Sequence, residues 1–332
     1  MSPLVSIIIP CRNEEKTIHQ VLEALHQQSF PLEDMEVVIA DGLSTDGTRK
    51  AIHSFSEAHP DLALRLVDNP KQIIPAGLNT AIKASKGEVI VRIDAHSLPN
   101  PDYVQSCVDA LIQDKAENVG GVWMISPQNN SWVARSITAA AANPFAVGDA
   151  HYRFTDKAAY VDTVPYGSYK RELFNQVGFF DENLLANEDY EFNTRIRQSG
   201  GRIWLDPAIQ CTYFARPTLS ALAKQYWGYG FWKAQMLKRY PETLRWRQAL
   251  PPLFVLGLIV LILAGIFWQP AWLVLTVVFG FYLLIQLIPA FSISSKLKDV
   301  SLSIGIVLAT LVMHISWGTA LIVGLFSHPD RK

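Results

Sequence analysis

From Val5 onward the chain runs in short apolar blocks, separated by longer stretches whose apolar residues recur every three or four positions. "LVSIII", "MEVVIA", "ALRLV", "EVIVRI" and "GGVWM" read as strands. Unbroken apolar runs of this length, bounded by turn formers, suit a sheet covered on both faces. The intervening stretches read as helices. One runs from Glu14 to about His26 with Asn13 as its cap, and a second from Thr48 to about His59. A third is entered through Pro75 and ends at Gly87, and a fourth is capped by Asn100 with Pro101 in its first turn, where a missing N–H costs nothing. Strands alternating with helices of about 10–15 residues predict right-handed crossovers and an α/β domain with a mostly parallel, Rossmann-like sheet.

The pattern changes at Pro251. Beyond it the charged side chains are confined to Lys296, Lys298, Asp299, Asp330, Arg331 and Lys332, and three apolar runs appear at 252–268, 271–288 and 302–326. Each is near the length of about 17–25 residues that crosses a bilayer as a helix. Buried core helices are the alternative, but they would need a large soluble shell that this stretch lacks. Three regions follow: an α/β domain over 1–217, a basic and aromatic segment over 218–250, and three transmembrane helices over 251–327. The middle segment, "LSALAKQYWGYGFWKAQMLKRYPETLRWR", has the composition of helices lying in a membrane interface. His314, inside the third run, is expected to be neutral and hydrogen-bonded.

Charge sets the orientation. Lys224, Lys233, Lys238, Arg239, Arg245 and Arg247 precede the first run against the single acid Glu242, and Lys296 and Lys298 lie in the second connection. Positive flanks stay cytoplasmic, so the α/β domain is expected in the cytosol, on a multi-pass protein of the inner (cytoplasmic) membrane. Arg331 and Lys332 weakly oppose this. The opening "MSPLVSIII" is too short and lacks the basic flank of a secretory signal. A net charge of −1 gives no field that would favour nucleic acid. Cys11, Cys107 and Cys211 form no CxxC pair and suit a reducing compartment.

Open α/β sheets bind ligands beyond the carboxyl ends of their strands, and polar residues collect there. The first strand ends in "PCRNEE", the second in Asp41 of "DGLSTDGT", and the fourth in "DAHS". No G-x-G-x-x-G and no G-x-x-x-x-G-K-[ST] is present, which argues against a dinucleotide site and excludes a P-loop. A divalent cation is the natural alternative for neutralising a diphosphate. Asp94 and His96, two apart on an extended segment, would point the same way and reach one cation, Mg²⁺ or Mn²⁺, with the imidazole favouring Mn²⁺.

Five blocks in order, "VSIIIPCRNEEKTI", "VVIADGLSTDGT", "ASKGEVIVRIDAHS", "VPYGSYKRELFNQVGFFDE" and "NEDYEFNTRIRQSGGRI", resemble family 2 glycosyltransferases, inverting enzymes of the GT-A nucleotide-sugar fold. The variants are most similar to bacterial enzymes of exopolysaccharide assembly, including succinoglycan-type glucosyltransferases. The resemblance implies a hexosyltransferase-type activity (EC 2.4), a nucleotide-diphosphate sugar donor (a UDP-sugar first), a lipid-linked saccharide acceptor and a divalent metal. By the same resemblance, Pro10, Arg12, Asn13 and Glu14 form the first nucleotide-binding loop, Asp41 binds the base, and Asn79 and Gly77 lie near the nucleotide. Asp94, Ala95 and His96 stand where the family has D-x-D, with Asp94 and His96 on the metal. Glu188-Asp189 matches the catalytic block, with Asp189 as general base, and Tyr166, Gly167 and Ser168 would line the acceptor pocket. His96 in place of a second acid is the one departure. Read without the resemblance, Glu188 and Asp189 are first-turn acids that complement a helix dipole. No Q-x-x-R-W block is present, and Gln225-Tyr226-Trp227 is only a partial echo of it, which favours one sugar per visit. A sugar nucleotidyltransferase and a non-catalytic membrane scaffold are the competing readings. The acidic "PCRNEE" disfavours the first, and Asp41, Asp94 and Asp189 disfavour the second.

Overall fold

The computed structural model describes residues 4–327, so Asp330, Arg331 and Lys332 lie outside the described residues. In chain order the elements are β1 (Val5–Cys11), α1 (Ile18–His26), β2 (Met35–Asp41), α2 (Thr48–Ala58), β3 (Ala63–Asp68), α3 (Ile74–Ala84), β4 (Val89–Arg92), β5 (Ser97–Pro99), α4 (Tyr103–Ile112) and β6 (Asn118–Pro127). There follow α5 (Trp132–Ala141), α6 (Pro144–Val147), β7 (Ala159–Tyr160), β8 (Ser168–Lys170), α7 (Leu173–Val177), α8 (Glu188–Gln198) and β9 (Ile203–Ala215). The chain ends in α9 (Leu219–Leu237), α10 (Trp246–Phe267), α11 (Pro270–Lys296) and α12 (Leu302–Phe326).

It divides into two compact units, Met1–Met124 with Thr155–Tyr213, and Ile125–Phe154 with Phe214–Lys332. The first is built on a nine-stranded sheet of order β3-β2-β1-β4-β8-β6-β9-β5, with β7 beside β9. β3, β2, β1 and β4 pair in parallel, in register Ile7↔Val37 and Ile7↔Val91. Ile7, Ile9, Val37, Ile39, Val91 and Ile93 are buried with α1 residues Ile18, Val21, Leu22 and Leu25, whose spacing makes one helical face. α3 packs on β1, β2 and β3. β1, β2 and β4 are buried along almost their whole length and are mostly apolar, which is why they read as near-continuous runs, while β3 at the sheet edge is only half-buried.

The other half corrects the expectation of a mostly parallel sheet. β8 is antiparallel to both β4 and β6, and β9 is antiparallel to β5 and β7. Several of these strands have only two or three residues, too few to carry a period. Two helix starts also differ. α1 begins at Ile18, and Asn13, with φ of 56°, turns its side chain to the Thr45 N–H (2.9 Å) instead of capping. α4 begins at Tyr103, while Asn100 donates to Gln210 Oε1 at 3.0 Å. α3 ends at Ala84, before Gly87, where a Cβ would come within 2.6 Å of Ser6 N.

In the second unit α10, α11 and α12 are long and apolar enough to cross a membrane. α10 starts at Trp246 and carries Pro251 and Pro252 inside it, and α11 runs on to Lys296, so both exceed the apolar runs. α9, within the segment read as interfacial, lies along α12. Gly230 meets Trp317 and Gly324 meets Ala234, at approaches that a Cβ would close to 2.3 and 2.7 Å. Lys233 is 3% exposed and donates to Thr243 O at 3.1 Å. His314 is hydrogen-bonded, to Tyr282 Oη (2.9 Å) and Ala146 O (3.2 Å).

Candidate active site

Three loops leave the carboxyl ends of parallel strands on the same edge of the first unit's sheet. The loop after β1 is laced to the loop after β2. Asn13 N–H donates to Ser44 Oγ (2.8 Å), Glu14 N–H to Thr48 Oγ1 (2.7 Å), and Gly47 N–H to Glu15 Oε2 (2.8 Å). Asp41 closes the second loop from below. Its carboxylate accepts from Ser44 N–H, Ser44 Oγ and Arg49 Nη1 at 3.0, 2.5 and 2.8 Å. Asp41 has no exposed surface. Its carboxylate therefore shapes the loop. Arg12 is exposed and its stem lies over Gly42, where a Cβ would stand 3.1 Å from Arg12 Cδ. Pro10 adjoins Gly77, whose missing Cβ would lie 3.2 Å from it.

The third loop follows β4. Asp94 to His96 form a turn, closed by Ser97 N–H donating to Asp94 O (3.0 Å), in place of the expected extended segment. Ala95 is buried beneath it. His96 Nδ1 lies 3.1 Å from Glu14 Oε1. Burial would raise the Glu14 carboxyl, but hydrogen bonds from His96 and Thr17 and the His96 charge outweigh it and hold it below the usual range. A neutral His96 that donates Nδ1–H to Glu14 keeps its lone pair on Nε2. A carboxylate behind an imidazole in this way is the usual orienting arrangement for a metal-binding histidine.

Arg92, the last residue of β4, connects this turn to the start of α8. The residue is 4% exposed; Nε donates to Asp94 Oδ1 (3.0 Å) and Nη2 to Glu188 Oε1 (2.8 Å). Asn187, in the left-handed region with φ of 63°, turns the chain into the helix, so Glu188 and Asp189 occupy its first turn. Asp189 Oδ1 accepts from Tyr190 N–H at 2.7 Å, and Tyr190 is itself tied to Asp162 by a 2.8 Å hydrogen bond. Burial, then the neighbouring Glu188 charge, push the Asp189 carboxyl up to about 7, with Arg92 opposing and Asp94 adding to the rise. Asp94 therefore acts electrostatically on Asp189, and Arg92 bridges Asp94 to the neighbouring Glu188. Burial keeps Cys11 and Cys107 protonated, the latter pushed up to about 12.

The remaining expected residues are supports. Asn79 donates to Phe180 O and Glu182 Oε1 and accepts from Phe180 N–H, each at 2.9 Å. Its amide clasps the 180–182 segment. Ser168 has no exposed surface, and Tyr166 is buried with Ser97 Oγ donating to its hydroxyl at 2.7 Å. A Cβ on Gly167 would fall 2.2 Å from Tyr169 Oη. These three pack next to Arg92, whose N–H donates to Gly167 O at 3.1 Å. Arg92 itself escaped the sequence reading because a single arginine in an apolar strand carries no distinguishing pattern.

A family model described as glycosyl transferase family 2 matches residues 6–178. Over 247 residues the chain is 31% identical to the succinoglycan biosynthesis protein ExoA of Rhizobium meliloti, covering 74% of this chain and 73% of that one. It is 28% identical over 269 residues to the dolichyl N-acetyl-alpha-D-glucosaminyl phosphate 3-beta-D-2,3-diacetamido-2,3-dideoxy-beta-D-glucuronosyltransferase of Methanococcus voltae, covering 79% and 82%. Among solved structures, the mannosyltransferase PcManGT from Pyrobaculum calidifontis, in complex with GDP-Man and Mn²⁺, superposes with a TM-score of 0.64. It is 21% identical and covers all of this chain and 89% of that one.

Proposed function

The chain belongs to glycosyl transferase family 2, and from that premise we propose that it is a membrane-anchored enzyme moving one sugar at a time from a nucleotide-diphosphate donor to a lipid-linked saccharide. Its class is fixed: a glycosyltransferase, EC 2.4, acting in polysaccharide or glycan biosynthesis. The observation that carries the finer reading is the Arg92 junction. It holds the Asp94–His96 turn and the Glu188–Asp189 helix start in one constellation at the sheet edge where such folds bind ligands.

In this reading Asp94 and His96 hold a divalent cation. One carboxylate oxygen and one imidazole nitrogen suit Mn²⁺ somewhat better than Mg²⁺. The two side chains are partly exposed, at 16% and 37%, and each is braced from behind, Asp94 by Arg92 and His96 by Glu14. When bound, the cation supplies charge neutralisation for a departing nucleoside diphosphate. Arg92 Nη1 is buried without a hydrogen-bond partner, a donor left over beside the same turn.

Asp189 takes the acceptor hydroxyl's proton as that oxygen attacks the anomeric carbon from the face opposite the diphosphate, which inverts the configuration. A carboxyl raised to about 7 is a stronger base than a surface aspartate and is still substantially ionised near neutral pH. Arg12 and Glu14 flank the nucleotide loop, and the exposed guanidinium of Arg12 can reach base or phosphate. Three candidate membrane helices anchor the chain in a membrane, and the basic residues before the first of them favour the cytosolic face of the inner membrane.

The test is donor-dependent product formation by the detergent-solubilised full chain, using radiolabelled UDP- and GDP-sugars with lipid-linked saccharide primers. Label transferred to lipid with Mn²⁺ and lost on chelation supports the reading. Transfer that persists unchanged in chelator would remove the metal from it. Absence of transfer with every donor and primer would favour the scaffold reading.

A further inference from the structure

A second group of metal-ligating side chains lies at the far ends of the two helices that follow the laced loops, away from the carboxyl edge of the sheet. His26 is the last residue of α1. His59 follows the last residue of α2 as its cap, and Asp61 stands two residues further on. The three offer ligand atoms that all lie within 4.8 Å of one another. His26 Nε2 is 2.9 Å from Asp61 Oδ2, and the two imidazole rings are 4.4 Å apart between centroids. Glu23, one turn before His26, has Oε1 3.9 Å from His59 Nε2 and 4.0 Å from His19 Nε2.

The rings are held by packing. Phe55, 2% exposed, carries His59 stacked at 4.4 Å, with His26 and His19 edge-on at 6.3 and 5.7 Å. The His59 backbone is fixed as well: its N–H donates to Phe55 O at 3.0 Å, and its carbonyl accepts from Leu62 N–H at 3.2 Å. His26 and His59 are 23% and 29% exposed and Asp61 is 57% exposed, so solvent ions reach the cluster while the imidazoles keep few rotamers.

We propose that His26, His59 and Asp61 form a site for a Zn²⁺-class cation, distinct from the Asp94–His96 turn. Two imidazole nitrogens and one carboxylate oxygen are a common ligand set for zinc, with bonds of about 2.0–2.2 Å. Tetrahedral ligand atoms at that radius stand about 3.4 Å apart, so the 2.9 Å His26–Asp61 contact needs only a small opening to admit the ion. Hard cations are discriminated against, because Mg²⁺ and Ca²⁺ favour all-oxygen shells. Glu23, whose Oε1 lies 3.9 Å from His59 Nε2, is the candidate for the fourth position. The bound ion would tie the carboxyl end of α1 to the turn that follows α2. Those are the two helices whose amino ends carry the Arg12–Thr17 and Gly42–Gly47 loops.

The test uses the detergent-solubilised full chain with Co²⁺ as a spectroscopic stand-in for Zn²⁺, in excess Mg²⁺ to compete at the Asp94–His96 turn. Wild type is expected to take up one more Co²⁺ per chain than His26→Gln/His59→Gln, with the intense visible d–d absorption of a tetrahedral centre. That absorption should disappear on Zn²⁺ addition, and Asp61→Asn should bind at least tenfold more weakly. Asp94→Asn should retain the signal, which separates this site from the catalytic one. Equal uptake and absorption in wild type and the double histidine variant would overturn the proposal. So would uptake in the wild type only at millimolar Co²⁺, or a signal lost in Asp94→Asn.

Discussion

Replacing Arg92 by methionine tests whether the junction holds the site together. The side chain is 5% exposed and answers two carboxylates, Asp94 at 3.0 Å and Glu188 at 2.8 Å. Removing one partner of a buried ion pair costs about 3–5 kcal/mol, because the charge left behind has no counterion. Asp94 keeps 16% exposure and is partly solvated, so the lower end, about 3 kcal/mol, is expected. For a domain of about 150–250 residues, this lowers the first unfolding transition by about 6–12 °C. The second effect is on pH. Arg92 is the charge that opposes the upward push on Asp189 from burial and Glu188. Without it the carboxyl rises further. The base works only when ionised, so the acid limb of kcat/KM moves to higher pH. Thermal melts and initial rates of nucleoside diphosphate release, run from acid to alkaline pH, read both effects. Adding Glu188→Gln should restore part of the lost stability, since it removes one stranded charge. An Arg92→Met protein that melts within about 2 °C of wild type, with its acid limb unmoved, would refute the reasoning.

Further outcomes follow from the same contacts. Thr48→Val removes the acceptor of the Glu14 N–H at 2.7 Å and should raise KM for the donor severalfold through a loosened first loop, with kcat nearly unchanged; steady-state kinetics decide this. Gly167→Ala places a methyl 2.2 Å from Tyr169 Oη and 2.3 Å from Asn118 Oδ1, and should cost about 1–3 kcal/mol, read as a lowered denaturant midpoint. Glu36 accepts from Ser6 Oγ, Lys86 N–H and Arg65 Nη2, and these contacts, overcoming burial, hold its carboxyl below the usual range. A depressed folded-state pKa stabilises above the unfolded value and is lost as pH falls through the folded one. Glu36→Gln should therefore flatten the loss of stability below about pH 4.3, seen in acid titration of the melting temperature. His96→Asp should shift the metal preference from Mn²⁺ towards Mg²⁺, measured as the ratio of rates with the two ions.

The parallel half of the sheet was legible because each of its strands is an apolar run and each helix shows a 3.6-residue face, as Ile18, Val21, Leu22 and Leu25 do. The antiparallel half was not, because β7 and β8 have two and three residues and their pairing is decided by distant partners. The site divides in the same way. Asp94, His96, Glu188 and Asp189 could be found as acids and an imidazole at element ends. The intramolecular partners of Asp41 and Asn79 could not, because Ser44, Arg49 and the 180–182 segment are brought to them only by the fold. Asn13 reads as a cap from its type alone; its left-handed backbone and its bond to Thr45 depend on a loop 32 positions away. Arg92 is the clearest case, since its importance lies wholly in the two carboxylates that the fold brings to it.

The central claim is that the Asp189 carboxylate deprotonates the acceptor. Its most direct test is the turnover of Asp189→Asn, an isosteric change, measured with nucleotide binding on the same detergent-solubilised preparation. The expected result is a fall in kcat of about 10²–10⁴-fold, with nucleoside diphosphate affinity retained and the wild-type acid limb near pH 7 abolished. An asparagine variant that turns over at the wild-type rate, with the acid limb still in place, would contradict the account.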